Sequence, residues 1–237
     1  VTADAYLSGN VRQKLRQAEA AAAENPAYQV NVEALRAAQP KDLDASEIEV
    51  RLGATWIDKS YIKQFMFETF DTPRYLRYSM DVQYSPYTAA WSISNKTRIS
   101  YNDVAAWNTY GTDCVSAYEI LEDSLNLRDV QVFDTIEDAD GKKKRVLNAK
   151  ETTLAAQKQQ LIRDAFKDWI WADPERRQAL VRQYNEEMNS IRPREYDGSH
   201  IVFAGMNPEI TLREHQRNAI AHVLYGGNTL LAHEVGA

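Results

Sequence analysis

The first forty residues carry apolar positions at helical spacing. Val11, Leu15, Ala18 and Ala22 fall at i, i+4, i+7 and i+11, which predicts an amphipathic helix. Ser8 or Asn10 can cap it, and Asn25-Pro26 ends it. A second helix is predicted over 30–39, stopping before Pro40, so the two read as a helical hairpin. Near residue 41 the period changes. Ile48, Val50 and Leu52 alternate with polar residues, which predicts a strand over 48–53. Asp58 caps a helix whose apolar side is Tyr61, Ile62, Phe65, Met66 and Phe70. Residues 75–84 and 88–96 alternate on either side of Pro86 and predict a hairpin of two or three strands. Residues 101–127 predict a largely helical stretch with Asp113 as cap. A second hairpin is predicted from 130–134 and 144–147 around Asp138-Ala139-Asp140-Gly141.

Beyond it, Asn148 caps a long helix carrying Leu154, Leu161, Ile162, Phe166, Trp169 and Ile170. Asp173-Pro174 then opens another, with aspartate as cap and proline in the first turn. The connection at 171–173 is short, which favours antiparallel neighbours. Phe166, Trp169 and Ile170 are expected to meet Leu180, Val181 and Tyr184. A strand at 200–203, a helix from 212 to 225 stopped by Gly226-Gly227-Asn228, and an apolar run at 229–232 complete the pattern. That run reads as a strand, expected to pair with 200–203 or with another copy. The sum is an α+β fold, mainly helical, with a small mixed or antiparallel sheet and helical hairpins flanking it. It divides into a helical linker (1–40), an α+β domain (41–147), a helical pair (148–199) and a closing segment (200–237).

Composition narrows the function classes. Hydrophobic residues make up 44% of the 237 and charged residues 26%, enough for a core in a soluble globular protein. The net charge of −6 means that DNA contact must come from a local basic patch. The single cysteine, Cys114, excludes an internal disulfide framework and a cysteine-based zinc site. No apolar run approaches the roughly 18 residues of a membrane span, and the N-terminal residues lack the pattern of a signal peptide. No membrane contact and a cytoplasmic location are expected.

The closing segment carries the most specific motif. Leu212, Arg213 and Gln216 form L-R-x-x-Q, and Ala232, Glu234 and Gly236 follow about two dozen residues later. This resembles the start of the motor of Swi/Snf-type helicases, with L-R-x-x-Q as the glutamine motif and A-D-E-x-G-x-G-K-T as the phosphate loop. His233 stands where that family usually has aspartate. Residues 6–12, 194–199 and 224–232 further resemble very large bacterial proteins of phages and conjugative elements, described as adenine-specific DNA methylase/helicase fusions. The resemblance implies that 200–237 begins a helicase ATPase domain, truncated inside its Walker A loop, with a methylase before this region and the motor after it. It implies that Gln216 reads the adenine of ATP, an amide being both donor and acceptor, and that Arg213, Glu234 and Gly236 belong to the nucleotide site of the intact parent. ATP and magnesium would serve that parent. The chain itself is expected to hold no cofactor and no metal, and to lack ATPase activity, because the Gly-Lys-Thr that supplies the phosphate-binding lysine is not in it.

Two basic groups are candidates for DNA phosphates: Lys142, Lys143, Lys144 and Arg145, and a second group led by Arg176 and Arg177. A solvated surface is the plainer reading of both. Tyr75, Tyr78, Tyr84, Tyr87, Trp91 and Tyr101 could stack on bases, or pack in a core. His215 and His222 lie seven apart on one helical face, a weak metal signal. Glu68, Asp71 and Asp81 form no recognisable acid–base pair, and no catalytic residue is assigned. The leading expectation is an accessory or coupling region of a DNA methylase–helicase, contacting DNA or positioning the ATP-driven motor, with the methylase and helicase domains of the same chain as partners. The alternative is a protein-interaction scaffold that never touches DNA.

Overall fold

The chain is described from a computed structural model that covers residues 3–137, 142–207 and 209–233. It falls into two compact units, Asp42–Asn185, and Val1–Lys41 with Glu186–Ala237. The fold is α+β, with short antiparallel two-stranded sheets among many helices. No helix among the described residues is long and apolar enough to cross a membrane.

In the unit that contains both termini, a short helix α1 (Ala3–Tyr6) leads into β1 (Gly9–Asn10) and α2 (Val11–Glu24). The Asn10 side chain accepts from the Gln13 N–H at 2.9 Å and caps α2. Asn25-Pro26 ends α2, and α3 (Gln29–Ala37) returns against it. Val11, Ala18, Val32 and Leu35 form the buried seam of this hairpin. Gln39 locks it by donating to the Val11 and Leu35 carbonyls.

The unit 42–185 is built around three helices. α4 (Lys59–Thr69) is capped by Asp58, whose carboxylate accepts from the Ser60 N–H at 2.8 Å. The short α5 (Arg74–Arg77) follows, then the hairpin β2 (Val82–Ser85) and β3 (Ala90–Ile93). α6 (Ala117–Leu125) begins in a capping box of Ser116 and Glu119. The hairpin β4 (Phe133–Glu137) and β5 (Lys143–Leu147) precedes α7 (Ala149–Ala172), capped by Asn148. Along α7, Ala155, Gln159, Ile162, Phe166 and Ile170 make one buried stripe facing α4 and α6. Phe65 meets Phe166 edge to face at 5.1 Å, and Phe70 meets Tyr118 the same way at 5.3 Å. α8 (Pro174–Glu187) carries the chain on towards β6 (Ile191–Arg192), which pairs antiparallel with β1. The last helix, α9 (Glu214–Gly226), ends at Gly227, whose φ of +81° suits glycine.

Four expectations are corrected. The alternation at 48–52 is real in burial, since Ile48, Val50 and Leu52 are all buried, but the segment forms no strand because no neighbouring backbone pairs with it. Side chains on helices satisfy such segments instead. Asn185 accepts from the Leu43 N–H at 2.9 Å and donates to its carbonyl at 2.8 Å. Gln159 accepts from Val130 and donates to Arg128, and Gln183 donates to Trp56. Second, 101–127 is not one helix: a π-turn at Ala105–Thr109 and a turn at Gly111 precede α6. A Cβ at Gly111 would lie 2.0 Å from the Ala106 carbonyl oxygen, and the cap of α6 is Ser116, not Asp113. Third, α7 and α8 do not form an antiparallel pair, because the apolar stripe of α7 is already covered by α4 and α6. Trp169 packs on Phe65 and hydrogen-bonds Glu68, while Tyr184 packs on Trp56. Leu180, Val181 and Tyr184 still join the same core cluster as Phe166 and Ile170. Fourth, neither 200–203 nor 229–232 is a strand, and Leu230 is 87% exposed. An apolar run without a partner ladder does not become one. The turn at 138–141 lies outside the described residues.

Two outcomes follow from this packing. Asn185→Ala should destabilise the protein by about 2 kcal/mol, because it leaves both backbone groups of the half-buried Leu43 without their side-chain partner. Thermal melts check this, with Lys143→Ala on the exposed hairpin as a neutral control. Tyr118 is fully buried and bonded to Thr72 at 2.9 Å, and burial pushes its phenol up to about 12. An unfolded tyrosine titrates near about 10. The folded chain therefore holds this proton more tightly. The stability so conferred is complete below the unfolded value and is lost as pH rises from there through the folded one. An ultraviolet phenolate titration should show one tyrosine ionising last, and Tyr118→Phe should remove it.

Candidate functional site

The segment that carries the closing motifs is organised by α9. Its first turn holds Gln216, and Arg213 is its N-cap. Gln216 reaches back, and its Oε1 accepts from the Arg213 N–H at 3.0 Å, so Gln216 caps the start of its own helix. Gln216 is half-buried, and the Arg213 side chain is exposed. Residues 194–200 lie along the same helix. The Arg194 guanidinium sits over the Tyr196 ring at 4.8 Å, and that ring stacks on His222 at 4.3 Å. The Gly198 N–H donates to Asn218 Oδ1 at 2.9 Å. A side chain at Gly198 is excluded, because its Cβ would lie 2.1 Å from the Arg217 carbonyl oxygen. Asp197 accepts from both the N–H and the hydroxyl of Ser199, which holds its carboxyl below the usual range. His200 and Tyr225 share a hydrogen bond of 3.2 Å.

These contacts frame an open cleft of about 550 Å³. Arg194, Tyr196, Glu214, His215, His222 and His233 are among its lining residues. The chain after α9 turns back, with Thr229 Oγ1 donating to the His222 carbonyl. His233 thereby comes to lie 5.9 Å from His215, edge to face. Residue 233 and the first turn of α9 are thus neighbours although eighteen positions separate His215 from His233 in the sequence. Glu234 and Gly236 lie outside the described residues. Among the described residues no group of three or more His, Cys, Asp or Glu is placed to hold a metal ion. His222 is engaged with Tyr196 rather than with His215.

The two basic groups are not brought together. Lys143, Lys144 and Arg145 lie on β5, in a ribbon exposed on both faces. Glu137 stands opposite Lys143, and the Arg145 guanidinium covers the Phe133 ring at 4.5 Å. Lys142 immediately precedes this strand. Arg176 lies beyond the far end of α7, which at about 1.5 Å per residue separates the groups by tens of ångströms. It is only 9% exposed. Its guanidinium stacks on Trp169 at 3.6 Å and donates to the Ile170 and Trp169 carbonyls. It therefore caps α7 and is turned away from any phosphate, while its neighbour Arg177 is exposed.

The aromatic series also divides. Tyr84 and Trp91 pack together, rings tilted, against the core, whereas Tyr75, Tyr78, Tyr87 and Tyr101 are exposed. Glu68, Asp71 and Asp81 each have separate partners: Glu68 takes Trp169 and Gln64, Asp81 takes Lys63, and Asp71 faces Arg77. Cys114 is exposed, and partial desolvation and the Glu151 carboxylate push its thiol up, which keeps it protonated at neutral pH. A further group of cations, Arg51, Arg163 and Lys167, converges on a cleft in 42–185. Sequence reasoning misses it because Arg51 comes from a distant segment. Only the i, i+4 spacing of Arg163 and Lys167 is legible.

The fold and these surfaces define an α+β protein with a helical core and exposed basic groups, whose helix α9 is flanked by residues 194–200 and His233. A family described as a domain of unknown function, DUF8437, matches residues 51–190, and the chain belongs to that family. No curated protein and no solved structure matches it.

The docking of 194–200 on α9 has a direct check. Gly198→Ala should release this segment, and amide hydrogen exchange at Gly198 and Ile201 should accelerate strongly. Unchanged exchange would show that the close approach to Arg217 does not hold the segment.

Proposed function

We propose that this chain is an accessory and coupling region of a DNA methylase–helicase of the Swi/Snf-motor type, which contacts DNA and positions an ATP-driven motor. The observation that carries the reading is the approach of His233 to the turn that contains His215 and Gln216. In the motors that this segment resembles, the glutamine motif and the phosphate loop serve one nucleotide. Here His215, in the first turn of α9, and His233 are separate in the chain and adjacent in space. Gln216 suits an adenine edge: its oxygen fixes the start of α9, and its Nε2 remains as a donor. In the intact parent, Arg213, Gln216, Glu234 and Gly236 would belong to the nucleotide site, and ATP would supply the energy of phosphoryl transfer. The basic residues of 42–185, chiefly Lys143, Lys144, Arg145 and Arg177, would meet DNA phosphates.

A salt titration of DNA binding by the chain tests this. Phosphate contacts release counterions, so affinity should fall steeply as salt rises. The double variant Lys143→Ala/Lys144→Ala should weaken binding and flatten that dependence by roughly one to two in the log–log slope. A chain that binds no DNA at low salt would be a protein-interaction scaffold instead.

A further inference from the structure

The end of α6 contains a residue that stability alone would not place there. The Arg128 N–H bonds to the Asp123 carbonyl at 2.9 Å and the Leu127 N–H to that of Ser124 at 3.2 Å. This is a Schellman termination, whose left-handed position is usually glycine. Here that position is Leu127, at φ +57°. A bulky side chain in this conformation is unfavourable. Burial does not offset the cost, because Leu127 is 63% exposed.

Leu127 stands at the edge of a cleft of about 290 Å³ that also receives Arg51, Arg163, Lys167, Gln160 and Glu49. Arg163 and Lys167 lie one turn apart on α7 and share a face. Arg51 is brought in by the turn at Gly53, which packs so closely on the end of α6 that a Cβ there would lie 2.2 Å from the Leu125 carbonyl oxygen. Three cations thus face one carboxylate, in a chain whose net charge is −6. Among the described residues Arg51 and Lys167 make no ion pair, and Arg163 has only a long contact of 3.9 Å to the exposed Asp129. Gln160 is turned to Asp164. Of these cations Arg163 and Lys167 lie on α7 itself.

We propose that this cleft binds a nucleic-acid strand, with Arg51, Arg163 and Lys167 on its phosphates and Leu127 against a sugar or base. Cations beside an apolar edge match a phosphate beside an apolar ring face. The inference rests on the DNA-contacting part of the reading above and adds the place of contact.

The test uses the whole chain and a short labelled single-stranded oligodeoxynucleotide, followed by fluorescence anisotropy over a range of salt. Arg163→Gln and Lys167→Gln should each weaken binding and flatten the log–log salt slope by roughly 0.7. Leu127→Gly should weaken binding about five-fold or more by loss of the apolar contact, yet melt at the parent's temperature or up to about 4 °C higher. Wild-type affinity and slope in both cation variants, with binding still sensitive to Lys143→Ala/Lys144→Ala, would overturn the cleft and leave the DNA reading intact. A clearly lower melting point for Leu127→Gly would overturn the role of the leucine by showing that it is kept for packing. Competition by AMP as effective as that by unlabelled strand would overturn the strand as ligand. Absence of binding by the parent chain would overturn the DNA reading together with this one.

Discussion

A buried backbone group must be paired, and this protein meets that constraint with helix-borne side chains more than with sheet. Among the described residues the unit 42–185 has only two-stranded sheets, yet segments outside helix and strand contribute Ile48, Val50, Leu52, Val130 and Val132 to its core. Asn126 supplies both a donor and an acceptor to Trp91, as a neighbouring strand would. Glu122 takes the Ile93 N–H, and its other oxygen holds Lys96. Thr152 takes the Val132 N–H, Gln159 bridges Arg128 and Val130, and Asn185 brackets Leu43. An amide side chain is the natural substitute, because it carries the same donor and acceptor as a peptide. Each such bond contributes about 1 kcal/mol, but its absence would leave a buried group unsatisfied at a larger cost.

This device shapes the surface that function can use. Since α6, α7 and α8 hold the extended segments, the segments fix where charged residues emerge. Arg51 reaches its cleft because Gly53 allows the 51–54 turn to seat on the end of α6. Arg176 turns inward to close the end of α7, which leaves Arg177 outside. The β4–β5 ribbon carries its cations clear of the core because neither of its faces is covered. In the other unit the same economy appears at α9, where Asn218 and Gly198 seat the segment that frames the cleft.

What the sequence made legible follows from range. Local signals held: Asn10, Asp58 and Asn148 cap the helices expected of them, and Asp173 accepts from the Arg176 N–H at the start of α8. The two hairpins fall close to their expected places. The Ser116-x-x-Glu119 pattern was available as a capping box and marks the true start of α6. What failed depended on partners far away in sequence. Alternation at 48–52 reports one buried side and cannot say whether a strand or an amide lies alongside. The stripe on α7 predicts a neighbour, and only the tertiary structure shows that α4 and α6 take that place before α8 can. The basic residues were visible by type, but nothing local distinguishes the buried Arg176 from the exposed Arg177. At the start of α9, the spacing of Leu212, Arg213 and Gln216 was legible. The approach of His233 to His215 was not.

Native-state hydrogen exchange at the Leu43 and Val130 amides tests the structural account most directly. Both lie outside strands and helices, and both donate to side chains, Asn185 and Gln159. The account predicts protection comparable to that of α6 and α7 amides, because these bonds open only when the helices that carry the acceptors separate. Exchange at the fast rate of an exposed loop would contradict it, and would mean that the extended segments are held by apolar contact alone.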